Sequence, residues 1–313
     1  MSDSKAIGRR EFIKSTSAAA LATTVVFAGQ KSTASPAESR IGTETATAPG
    51  AQAGKSRVVL VRDPNVLDEA GRPRAAVVQE MLDAGVKALT GKPDPQAAWK
   101  TLVTPDDIVG LKNNRWPYLR TTAEVENALK TRVLEAGVAD ANFAVDDLGV
   151  LQNPIFQKAT ALINARPMRS HHWAGVGSLI KNYIMFIPEP ISIHGDSCAD
   201  LASIWNLPII KGKTRLNVLV MFTPQFHSFG PHSFNPKYVW KYHGLILAFD
   251  PVAADATGLR IIEAIRREYF GEDRPLNPPA KHIAVADTKY HLGTADPEKI
   301  ELVKIGDAKE CFV

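Results

Sequence analysis

Six of the eight histidines, His171, His172, His194, His227, His232 and His243, fall within residues 171–243, together with Trp173, Lys181, Asn182 and Cys198. Histidine is the side chain most readily poised for proton transfer near neutral pH, and it is also the commonest metal ligand. His171, His172 and Lys181 are therefore candidates for catalysis, and His194 with His171 for holding a metal. The stretch contains no His-Glu-x-x-His helix and no Cys-x-x-Cys pair, so the spacing names no particular metal. Nickel, iron or zinc all remain open. Two cysteines, Cys198 and Cys311, cannot supply four thiolates, which argues against an iron–sulfur cluster and leaves one disulfide as an option. Gly175 and Gly177 let the backbone turn between His171 and Lys181, and the apolar run Tyr183–Ile187 anchors that turn to a core. The polar ends of His171, Lys181 and His194 are expected within roughly 10 Å of one another and of Lys112 in a concave site.

The elements that must position these groups alternate. Arg57–Val61, Asp107–Leu111, Asn142–Val145, Leu216–Phe222, Leu245–Phe249, His282–Ala286 and Lys299–Val303 read as short β-branched strands. Ala75–Leu89 carries one apolar face and stops at Gly91, and Thr121/Thr122 open a helix that Glu124 is placed to close as a capping box. Pro154–Ala165 also reads as a helix, and Asp250-Pro251 caps one running to about Tyr269. This order predicts an α/β fold: a mixed, largely parallel sheet with helices on both faces, in a single domain. Ligands in such sheets bind outside the carboxyl ends of the strands. Lys112 and Asn113, Asp146 and Asp147, His171 and His172, and Asp250 are all expected at that edge, and Asp250 and Asp255 on a helix whose N-terminus faces it. Lys112, Asn113, Asp146, Asn182, Asp250 and Asp255 are the candidate cofactor-binding residues. Gly175-Val176-Gly177 lacks the third glycine of a dinucleotide fingerprint.

The N-terminus has a different composition. Arg9 and Arg10 precede sixteen uncharged residues between Lys14 and Lys31, a stretch too short and too rich in Ser and Thr for a stable membrane span. Residues 1–34 read as a twin-arginine export signal, 35–54 as a Ser/Thr/Ala/Pro linker, and 55–313 as the folded body. The translocase is thus an expected partner during export, and the location is periplasmic or otherwise exported. The chain's net charge is +4. Five basic and two acidic side chains lie in the first 35 residues, so the remainder carries only about +1. A nearly neutral body excludes charge-driven nucleic-acid binding as a leading class.

Lys112-Asn113, Thr121-Thr122, Asp146, Lys181-Asn182, the stretch from Phe249 to Ala256 and the stretch from Leu292 to Ile300 fall in an order that resembles domain of unknown function family 362 over most of residues 57–306. Many members carry an iron–sulfur module, which this sequence lacks. The segment from His171 to Lys181, with His194 beyond it, is similar to part of the nickel-pincer lactate racemases. That similarity implies His171 as acid/base, Lys181 as cofactor tether and His194 as nickel ligand. Those enzymes need a second histidine upstream, and there is no histidine before His171. The expectation is an exported enzyme acting on a small anionic or carbonyl-bearing molecule with a metal or cofactor. The alternative is a periplasmic ligand- or metal-binding or maturation protein without turnover.

Overall fold

A computed structural model describes residues 54–228 and 234–313. The export signal, the linker up to residue 53 and His232 lie outside the described residues. Eight strands build one sheet: β1 (Ser56–Arg62), β2 (Val109–Lys112), β3 (Phe143–Asp146), β4 (Ala161–His171), β5 (Gly175–Gly177), β6 (Thr214–Gln225), β7 (Gly244–Ala248) and β8 (Ile300–Gly306). Their spatial order is β3-β2-β4-β6-β7-β1-β8, with β5 folded back on β4 as a hairpin. The β3, β2, β4 and β6 strands are mutually parallel, as are β1 and β8. β7 runs antiparallel between β6 and β1.

The helices are α1 (Ala75–Thr90), α2 (Pro95–Trp99), α3 (Ala123–Glu135), α4 (Pro154–Lys158), α5 (Leu179–Asn182), α6 (Gly195–Cys198), α7 (Pro251–Phe270) and α8 (Lys281–Thr288). α1 and α3 bury Val78, Leu82, Val86, Leu129 and Val133 against one face of the sheet, with Val59, Leu111 and Ile163 beneath them. On the other face α5, α7 and α8 pack Leu179, Ile180, Ile261, Ile262 and Ile283 over Leu60, Leu162 and Leu219. Each side chain set alternates along the strands, so the central strands are apolar on both faces, as a covered sheet requires. The described residues form one compact α/β domain with helices on both faces. Among them no helix is long and apolar enough to cross a membrane.

Four local expectations are corrected. The helix over Pro154–Ala165 ends at Lys158, and Ala161 begins the 11-residue β4, buried along its whole length. His282–Ala286 is helix α8, because burial of His282, Ile283 and Ala286 follows a helical face rather than alternation. Thr121 closes no capping box: α3 starts at Ala123, and the Thr121 hydroxyl instead donates to the Ala165 carbonyl at 3.0 Å and accepts from the Asn114 N–H. Asp250 lies at the opposite edge from the other strand-end residues. It follows β7, the one antiparallel member of the central sheet, and its carboxylate accepts from Ser56 at the start of β1 at 2.7 Å.

Candidate functional site

The carboxyl edge of the sheet, on the face covered by α5, gathers an unusual density of buried polar groups. β4 is the reason. It emerges between β2 and β6, and its residues Asn164 and Arg166 face α5 from among the apolar residues Leu162, Ile163, Ala165 and Met168. Asn164 donates to Asn217 on β6 and to the Leu179 carbonyl, and accepts from Asn182 at 2.8 Å. Asn182 also donates to the Lys112 carbonyl, and Asn217 to that of Phe249. This asparagine chain locks α5, and hence Lys181, across three strands.

α5 is only four residues long, and its start is fixed from outside. Asp255, fully buried on α7, accepts from the Ser178 hydroxyl at 2.7 Å and from the N–H groups of Leu179 and Ile180 at 2.9 Å. Burial pushes its carboxyl up to about 6, against those three donors. Gly175 turns the β4–β5 hairpin with φ +70°, and a Cβ there would meet the Ala280 backbone nitrogen at 2.6 Å. At Gly177 a Cβ would come within 2.7 Å of Arg166 Nη2.

Of the groups expected to converge, Lys181 and His194 meet, and His171 is linked to them through the Trp173 ring. Lys181 Nζ lies 3.1 Å from His194 Nε2 and 4.0 Å from Cys198 Sγ. Trp173 links the histidines, its ring 4.4 Å from that of His194, 4.2 Å from His172 and 6.3 Å from His171. His171 stacks on His172 at 4.8 Å. Its Nδ1 accepts the Trp173 N–H at 3.2 Å, so the neutral ring carries its proton on Nε2. Burial first, then the charges of Lys181, Arg166 and Arg169, hold His171 far below its ordinary range. His194 is lowered by burial and by Lys181, and its Nδ1 is buried without a hydrogen-bond partner.

Lys112 belongs to a neighbouring cluster. It is fully buried, and its ammonium meets Asp147 Oδ1 at 2.5 Å and the Asn113 carbonyl at 2.8 Å. Burial pushes Lys112 down to about 8, with the Asp147 carboxylate opposing the shift. The other Asp147 oxygen accepts the Arg115 N–H, whereas Asp146 closes the turn after β3 by accepting from Asp147, Gly149 and Asn153. Asn113 donates to Glu126 at 2.6 Å. Asp250 caps α7 through Val252 and Ala253 and also accepts from Thr294. These carboxylates are saturated by the fold.

Two cations escaped the sequence reading. Arg166 is 3% exposed, makes one hydrogen bond, from Nη1 to the Ser178 carbonyl, and has an unpartnered Nε. Arg169, equally buried, reaches Asn114 and the Leu119 carbonyl and stacks over Trp116 at 4.3 Å, again with Nε unpartnered. Among the described residues neither they nor Lys181 has a carboxylate within 4.0 Å. Asp147 and Asp255 reach Arg166 only through space. Burial lowers Arg166 to about 10 and holds Arg169 well below its ordinary value. Lys181 is lowered to about 8, by burial above all, with Arg166 and Arg169 adding to it and Cys198 opposing. The signal that could have exposed the arginines is the polar alternation at 164 and 166, hidden because that segment reads as the tail of a helix.

A cavity of about 260 Å³ opens beside this cluster, lined among others by Ser170, His171, His172, His227, Arg266 and Arg274. Among the described residues no acidic side chain lines it. The C-terminal part of α7 supplies Arg266, which donates to the Phe226, Arg274 and Pro275 carbonyls and to His227. The residues present do not fit a metal ion. Among the described residues no three His, Cys, Asp or Glu side chains gather as a ligand set, His194 Nε2 and His171 Nδ1 already face donors, and the surrounding field is positive. Cys198 and Cys311 are separate buried thiols. Compared with known proteins, the chain matches no family model, no curated protein and no solved structure.

Proposed function

We propose that this chain is an exported enzyme that binds a small carboxylate- or phosphate-bearing molecule at the carboxyl edge of its sheet, with His171 and His194 as proton-transfer groups and Lys181 between substrate and imidazole. One observation carries the reading: among the described residues Arg166, Arg169 and Lys181 are buried without a carboxylate partner, and the cavity that His171 lines has no acid on its described wall. An uncompensated buried cation is costly, and sites that hold several exist where an anion completes them. His171 presents its Nε2 to a ligand because the Trp173 N–H occupies Nδ1. His194 can relay a proton to or from Lys181 across 3.1 Å.

Export rests on Arg9, Arg10 and the uncharged stretch that follows, and membership of domain of unknown function family 362 on the ordered landmarks from Lys112 to Ile300. A binding protein without turnover would share the anion site, and it is distinguished by the absence of any chemical change in the bound molecule. The test is calorimetric titration with inorganic phosphate, acetate and succinate. Saturable binding that weakens by about tenfold or more in Arg166→Met is the expected result. Failure of all three anions to bind the folded protein would overturn the proposal.

A further inference from the structure

Two buried lysines stand in this region, and only one is chemically satisfied. Lys112 is neutralised by Asp147 at 2.5 Å. Lys181, 4% exposed, has no carboxylate within 4.0 Å among the described residues. Its nearest polar atoms are an imidazole nitrogen that accepts and a thiol 4.0 Å away. An amine adds to a carbonyl only when its lone pair is free, so a lysine nucleophile needs a place to put its proton. His194 Nε2 at 3.1 Å is such a place, and burial above all, with the charges of Arg166 and Arg169 added and Cys198 opposing, makes the ammonium form the costlier one.

The same guanidiniums would hold a carboxylate next to that amine. A molecule carrying a carboxylate on the carbon adjacent to a carbonyl answers both demands at once. We infer that Lys181 forms an imine with the carbonyl carbon of a small 2-oxo acid, whose carboxylate is held by Arg166 with Arg169 behind it. The inference rests on the anion-binding reading above and names its substrate class.

The step balances without an outside reagent. The Lys181 Nζ lone pair adds to the carbonyl carbon while the ammonium proton passes to His194 Nε2. The carbonyl oxygen takes one proton from the attacking nitrogen and one back from His194, leaves as water, and nitrogen and carbon become doubly bonded. One water is released, nothing is oxidised or reduced, and the resulting iminium keeps the positive charge that Lys181 began with. Exclusion of bulk solvent by Trp173, Ile180 and Tyr183 slows the reverse hydrolysis; Ile180 and Tyr183 are fully buried.

The experiment incubates the full protein with pyruvate, adds sodium borohydride, and measures intact mass followed by peptide mapping. The expected result is one adduct per chain, heavier by the mass of pyruvate less one oxygen atom, on the peptide containing Lys181. It should fall by about tenfold or more in Lys181→Arg, which keeps the charge, and persist in Cys198→Ser. Lactate, which lacks the carbonyl, should give none. Mapping in the wild-type protein needs no variant to fold. Pyruvate that binds calorimetrically but leaves no reducible mass on Lys181, or that labels exposed lysines equally, overturns the imine and leaves the anion site standing. Failure of pyruvate, phosphate and succinate alike to bind removes both.

Discussion

Lys112 and Lys181 lie on the same face of the same sheet, joined through Asn182, yet they solve burial in opposite ways. Around Lys112 every demand is met inside the chain: the ammonium has Asp147 and a carbonyl, and Asp147 has a backbone N–H for its second oxygen. Around Lys181 the partners are neutral, and two further cations crowd the site. The first arrangement is complete as folded. Among the described residues the second lacks a counter-charge, which is what the anion proposed above would supply. Burial alone therefore does not mark a functional lysine; the test is whether the fold supplies its counter-charge.

The largest effect should follow from breaking the complete cluster. Asp147→Ala leaves the Lys112 ammonium buried and unpaired and strands the Arg115 N–H, a loss of about 3–5 kcal/mol in urea unfolding. Replacing both partners by apolar residues, Lys112→Met with Asp147→Leu, should recover most of it. A single-variant loss under about 1 kcal/mol would show that Lys112 is not held as described and would erase the contrast.

Lys181→Met should behave differently. Removing a charge with no carboxylate partner takes away a desolvation cost, so stability is expected to hold within about 1 kcal/mol or to rise. Phosphate affinity should fall by about tenfold in the same variant. A stability loss above about 3 kcal/mol would mean that Lys181 is structural after all, and the two lysines would then belong to one class.

How much of this was legible beforehand differs between fold and site. Alternating short β-branched runs and amphipathic helices carried the α/β class, because period and capping residues such as Gly91 and Asp250-Pro251 are local properties. Strand direction is not local. Asp250 was expected at the ligand edge because a parallel sheet puts every strand end there, and only the pairing of β7 with β6 and β1 sends it to the other. The contact between Lys181 and His194 was readable from the apolar anchor after Lys181. Arg166 and Arg169 were not. They follow Leu162 and Ile163, an apolar stretch that fits the end of a helix as well as a central strand. Counter-charge was illegible altogether, since Asp147 lies 35 residues from Lys112 and Asp255 lies 77 from Ser178.

The smallest effect is a proton count, and it addresses the difference between the two lysines directly. Lys181 is lowered to about 8, chiefly by burial, against an ordinary value of 10.5, and Lys112 to about the same value, so it is the Lys181→Met variant that tells the two apart. The folded pKa of Lys181 is depressed, so the empty protein gains stability from this group as pH rises between these values and loses it as pH falls through 8. An anion docked beside it reverses the balance by favouring the ammonium. At pH 8.5, binding of inorganic phosphate should therefore draw about three-quarters of a proton into the protein, and at pH 7, where Lys181 is already charged, very little through this group. Calorimetry in buffers of different ionisation enthalpy measures the uptake as a slope. Other groups facing the amine are His171, His194 and Cys198, with Arg166 and Arg169 beyond them. Both imidazoles are held below 6.5 and burial raises the thiol. Lys181→Met should abolish the uptake at pH 8.5. If the slope survives in that variant, the proton goes to Lys112 instead, and the pair with Asp147 is the site that responds to the ligand.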